Sequence, residues 1–107
     1  MAVFMVDTYI AIPEKLGEFT LALKKYEKWI KEHPELFKEM KSRKVFSHML
    51  GGNWGGYVEM WEFENLADFE KCFNKIVESD YMTTIYPELN ALIIPGTDSL
   101  SIWNSVP

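Results

Sequence analysis

An α+β domain with the element order β-α-β-β-α-β is the fold class this sequence predicts, on three observations. Val3 to Ile12 opens the chain with a run of β-branched and aromatic residues. Two later segments carry apolar residues at helical spacing. Between them, two apolar runs flank the glycine cluster Gly51-Gly52-Asn53-Trp54-Gly55-Gly56, the pattern of an antiparallel hairpin. Together they describe the ferredoxin-like split βαβ plan, a four-stranded antiparallel sheet with helices on one face, in a single domain over residues 1–107.

Each element has a local cause. Pro13 suits a helix start, where its missing N–H costs nothing, and Leu16, Phe19, Leu23, Tyr26 and Ile30 form one stripe after it. His33-Pro34 breaks that helix, because the residue before proline is pushed out of the helical region. Pro34 to Met40 reads as a short second helix, Lys44 to Leu50 as the second strand and Tyr57 to Glu64 as the third. Asn65 caps the next helix, with Asp68 in its first turn and Leu66, Phe69, Cys72, Phe73 and Ile76 as its apolar face. A short helical segment from Ser79 ends at Pro95-Gly96, and Leu100 to Val106 is the last strand.

Helices on one face leave the other to be covered. Alternation sorts Phe4, Val6, Thr8, Ile10, Val45, Ser47, Met49, Val58, Met60, Leu100 and Ile102 into a mainly aliphatic set, expected under the helices. The opposite set holds Asp7, Tyr9, Phe46, His48, Tyr57, Glu59, Trp61, Phe63, Ser101 and Trp103. Rings exposed there would forgo about 25 cal/mol per Å² of burial, so a second copy of the chain is expected over this face.

Composition narrows the function classes. Hydrophobic residues are 48% and charged residues 25%, an ordinary globular mix; aromatics at 15% exceed the needs of a small core. A net charge of −5 argues against nucleic acid as a partner. Eight of the eleven basic residues lie between Lys24 and Lys44, interleaved with glutamates in pairs such as Glu27–Lys31 and Lys28–Glu32, and read as solvated surface. No stretch reaches membrane-spanning length, Met1 to Asp7 lacks the basic start of a signal peptide, and a cytoplasmic setting without membrane partners is expected. The one cysteine, Cys72, reads as packed, and neither a disulfide nor a zinc cluster is expected.

The stretch Gly56-Tyr57-Val58-Glu59-Met60-Trp61-Glu62-Phe63-Glu64-Asn65-Leu66-Ala67-Asp68-Phe69, a strand closing in Trp-Glu-Phe before an Asn-capped helix, resembles the second half of the dimeric α/β-barrel superfamily. The likeness is strongest to its antibiotic-biosynthesis monooxygenase and NIPSNAP-like branches. It implies a homodimer pairing sheet to sheet and a pocket for a flat aromatic molecule, with cofactor-independent oxygenation as one activity and non-catalytic binding or assembly as the other. Haem-degrading members of that superfamily use an Asn on the first strand, a Trp on the third and a His on the second helix. Trp61 matches the Trp, Asp7 stands near the Asn position, and the helix after Asn65 has no His, so no cofactor is expected. His33 and His48 are spaced wrongly for a shared metal site.

On these grounds His48 and Glu59 are candidate bases, since a histidine or carboxylate beside a like or unlike charge can be tuned towards neutral pH. Asp7, Tyr9, Tyr57, Trp61 and Trp103 are candidate substrate-binding residues, the tyrosines as donors and the tryptophans as stacking surfaces. The plain alternative is a polar network and ring cluster that only fill a subunit interface. The glycine cluster lacks the Lys-Ser/Thr of a phosphate loop and leads into a strand, so it reads as a turn, with Trp54 at its tip.

Overall fold

The computed structural model describes residues 2–51 and 54–107; Gly52 and Asn53 of the expected turn lie outside the described residues. Four strands, β1 (Val3–Ile10), β2 (Met40–Ser47), β3 (Gly56–Phe63) and β4 (Ser99–Asn104), form one antiparallel sheet in the order β2-β3-β1-β4. Helices α1 (Leu16–Glu32) and α2 (Leu66–Glu78) follow β1 and β3, and two short helices, α3 (Tyr81–Thr84) and α4 (Tyr86–Asn90), lead towards β4. This is the expected βαββαβ order.

The boundaries differ in ways the local chemistry explains. Pro34–Phe37 is a single 3-10 turn, and the chain enters β2 at Met40 because Met40 pairs with Phe63. A register shift between Met40 and Ser42 sets the phase of the rest of that strand. The hairpin closes with the His48 N–H donating to the Gly56 carbonyl at 2.9 Å. Gly55 holds φ at +83°, where a Cβ would come within 3.0 Å of the Ala11 carbonyl, so glycine allows the hairpin end to close on the chain leaving β1. The Asn65 side chain accepts from the Asp68 N–H at 2.8 Å and caps α2 as expected.

The core lies between sheet and helices. Phe19, Ala22, Tyr26 and Trp29 are the buried line of α1, flanked by half-buried Leu16, Leu23 and Ile30; Phe69, Cys72 and Ile76 are the buried line of α2. Edge-on ring contacts join the layers, Phe37 to Trp61 at 5.7 Å and Phe63 to Phe69 at 5.5 Å.

The expected assignment of faces is overturned on β1 and β3 and holds on β2 and β4. Asp7, Tyr9, Tyr57, Glu59, Trp61 and Phe63 lie under the helices, and Phe4, Val6 and Met60 face the open side. Phe46 pairs with Val58 and Trp103 with Phe4, so both share that open face. Alternation fixes the two sets within a strand, not which set is inside. In the two central strands the large rings fill the depth beneath the helices, a space that aliphatic side chains would leave partly empty.

Candidate functional site

Beneath the helices the sheet is polar at its centre. Asp7 of β1 and Glu59 of β3 are direct cross-strand partners, two carboxylates side by side. A cavity of about 70 Å³ opens over them, closed by Tyr26 of α1, Tyr81 and Tyr86 of α3 and α4, and Asp98 before β4. A second hollow of about 80 Å³ shares Asp7, Tyr26, Glu59 and Tyr81 and is bounded by Trp61 and Phe73.

Glu59 is held in place. Its Oε2 accepts from Arg43 Nε at 2.5 Å, Trp61 Nε1 at 2.7 Å and the Tyr26 hydroxyl at 3.2 Å. Arg43 also donates through Nη1 to Glu27 at 2.6 Å, and its guanidinium stands 4.8 Å from the centre of the Tyr26 ring. Burial opposes the charge of Arg43, yet Glu59, Tyr26 and Glu27 outweigh it and raise its pKa. Arg43 Nη2 is buried without a hydrogen-bond partner. Three donors on one oxygen make Glu59 an anchor for the wall.

Asp7 is its opposite. Its carboxylate takes no hydrogen bond among the described residues and opens on both hollows. Burial, then the charges of Glu59 and Asp98, push its pKa from 3.8 to about 7. The hydroxyls of Tyr9 and Tyr81 are likewise unpartnered among the described residues, and both line the cavity. Burial first, then Glu59 and Asp7, raise the pKa of each, so both stay protonated donors. Tyr26, also raised by burial and then by Glu59, stays a phenol. The arrangement offers one near-neutral acid–base group, two free hydroxyls and a wall of rings.

Four of the seven expected site residues therefore meet: Asp7, Tyr9, Glu59 and Trp61. Tyr57 stacks behind Tyr9 at 5.7 Å. His48 lies at the hairpin end in a separate surface hollow with Trp54 and Leu16, and Trp103 lies on the open face. Tyr26, Arg43, Tyr81, Tyr86 and Asp98 complete the site and were not singled out by sequence reasoning. Arg43 was counted with the solvated basic run, but its side chain is 9% exposed. The signal for it lay in β2, where it shares a face with Val45 and Ser47 and pairs with Trp61. Likewise Glu27 bonds Arg43 rather than the Lys31 expected one turn away. Cys72 is packed as expected, its thiol pushed up to about 11 by burial and then by Glu39. No helix of the described residues is long and apolar enough to cross a membrane.

No protein-family model matches the chain, and no curated protein sequence does. Solved structures do. An uncharacterized NIPSNAP domain protein from Burkholderia xenovorans superposes with a TM-score of 0.75 at 13% identity, over 99% of this chain and 95% of that one. An antibiotic biosynthesis monooxygenase gives 0.69 at 14% identity, over 98% and 99%. A dimeric protein of unknown function and ferredoxin-like fold from Bacteroides fragilis gives 0.68 at 13% identity, over 97% and 96%. At these identities the likeness is one of architecture, and the chain has the ferredoxin-like α+β fold that these NIPSNAP and antibiotic-biosynthesis-monooxygenase proteins share.

Proposed function

We propose that the inner cavity binds a small aromatic molecule bearing a weakly acidic proton, and that Asp7 takes that proton. The observation that carries this reading is a carboxylate without a protein partner, opening on a ring-lined cavity and poised near pH 7. Tyr9 and Tyr81 donate to the oxygen on which charge develops, and Glu59, fixed by Arg43, Trp61 and Tyr26, keeps the wall in place. His48, away from the cavity, has no part in this step.

The reaction class that fits is cofactor-independent oxygenation. A phenol deprotonated by Asp7 reacts with dioxygen to give a quinone and water. The substrate supplies all four electrons, one oxygen atom enters the ring, and the other leaves as water with the two displaced protons. Oxygen uptake with flat phenols, followed from pH 5 to 9, tests it. Uptake should rise through a midpoint near 7, and Asp7→Asn should lower its rate at least a hundredfold with ligand binding retained. Equal uptake by the variant overturns the assignment. A second reading, a non-catalytic binding module, is favoured by the cavity's small size, about 70 Å³. It predicts saturable binding without uptake.

The open face is proposed as the seat of a second copy. Phe46 and Trp103 are exposed there, Phe4, Val6 and Met60 are half-buried beside them, and the similar Bacteroides fragilis protein is described as dimeric. Sedimentation at micromolar concentration should give twice the chain mass, and Trp103→Asp should weaken the dimer at least tenfold without unfolding the chain.

A further inference from the structure

We propose that the ligand of the inner cavity carries a cationic amine, seated between the carboxylate of Asp7 and the surrounding tyrosines. This rests on the reading of the same site as an aromatic-binding cavity and takes its non-catalytic form, since an Asp7 paired with an ammonium group is not free to act as the base.

Charge gives the first argument. The cavity is walled by three carboxylates, Asp7, Glu59 and Asp98, and among the described residues no lysine, arginine or histidine lines it. The guanidinium of Arg43 bonds Glu59 through Nε and Glu27 through Nη1, and it does not line the cavity. An anionic ligand would meet carboxylates on two sides, whereas a cation is drawn in. The potential that makes Asp7 reluctant to ionise is the one that favours a positive occupant.

Hydrogen bonding gives the second, independent argument. Tyr9 is 7% exposed, its hydroxyl has no partner among the described residues, and it lines the cavity. The Tyr81 hydroxyl and the Asp7 carboxylate stand in the same condition. An ammonium group has three N–H donors and no acceptor. These three oxygens supply three acceptors, and Tyr86 adds a ring to the wall for cation–π contact, the Tyr26 ring being already faced by Arg43. A divalent metal ion is a poorer match, since no three His, Cys, Asp or Glu side chains among the described residues come close enough together to hold one.

Three isosteric probes test this on the full-length protein by calorimetry at pH 8: benzylamine, benzyl alcohol and benzoate. Benzylamine should bind at least tenfold more tightly than benzyl alcohol, and benzoate most weakly. From pH 6 to pH 8 the benzylamine affinity should rise roughly tenfold as Asp7 ionises, with the amine still charged. Burial, then Glu59 and Asp98, sets that midpoint; Tyr9, Tyr26 and Tyr81 also face Asp7 across the hollows, and Arg43 stands behind Glu59. Asp7→Asn should abolish both the preference and its pH dependence. Asp98→Asn, at the exposed rim, should reduce the preference without threatening the fold. Benzyl alcohol binding as tightly as benzylamine overturns the amine and leaves the aromatic reading intact. Benzoate binding best also overturns it. If none of the three binds, both readings fall together.

Discussion

The two faces of the central strands are built by opposite rules. The inner face pairs Asp7 with Glu59 and sets Trp61 and Phe63 beside them, polar groups and large rings mixed and buried. The outer face carries Phe4, Val6 and Met60, with Glu62 beside Phe4 bonded by the Ser42 hydroxyl, and is partly open to solvent. Apolar character is therefore no guide to burial in this chain. The face with the paired carboxylates is inside because Arg43 and Tyr26 satisfy Glu59 there, and the mainly apolar face is outside, its Glu62 bonded by Ser42.

Two tryptophans separate the faces most sharply. Trp61, 5% exposed, and Trp103, 60% exposed, stand on opposite sides of one sheet. Trp61→Ala should cost about 3–5 kcal/mol of stability, Trp103→Ala under about 0.5 kcal/mol in the isolated chain, both read by urea unfolding. Equal costs would break the comparison. Glu59→Gln should cost about 3 kcal/mol, because it leaves Arg43 buried with half its compensation. The same variant should lower the Asp7 midpoint, observable by NMR titration, since a like charge has gone.

Asp7→Asn acts in the other direction. The folded-state pKa of Asp7 is raised, so the folded chain binds more protons than the unfolded one between about pH 4 and 7, and stability falls as pH rises across that window. The variant should match the parent near pH 3 and exceed it by about 1–2 kcal/mol at pH 8, the partial exposure of Asp7 screening the effect. A thermal unfolding series against pH reads this. Smallest is Lys25→Ala, which removes the 2.9 Å exposed ion pair between α1 and Glu88 of α4; under about 1 kcal/mol is expected, with faster hydrogen exchange in α4 over the cavity.

Element order was legible because its signals are local: the Pro13 start, the His33-Pro34 stop, the Asn65 cap and the glycine cluster each act within a few residues. The faces were not legible, since deciding them requires cross-strand register and knowledge of the space to be filled. Arg43 was hidden by its company, a basic run in which one member turns inward after the shift near Met40. Tyr81, Tyr86 and Asp98 come from two short helices and a loop, where no period marks a side chain's direction. Asp7, Tyr9, Glu59 and Trp61 come together as expected because strand alternation puts them on one face whichever way the sheet faces.

β2, one of the two edge strands of the sheet, carries a register shift at its start and the exposed Lys41 and Lys44 along its length. Charge and irregularity there discourage another chain from adding itself as a fifth strand. The pairing proposed for the open face would then have a natural end. Copies that meet surface to surface are complete at two, whereas copies that met rim to rim would continue as a ribbon and finally as a fibre. On the β2 side, the irregular border would favour the proposed pair over a ribbon.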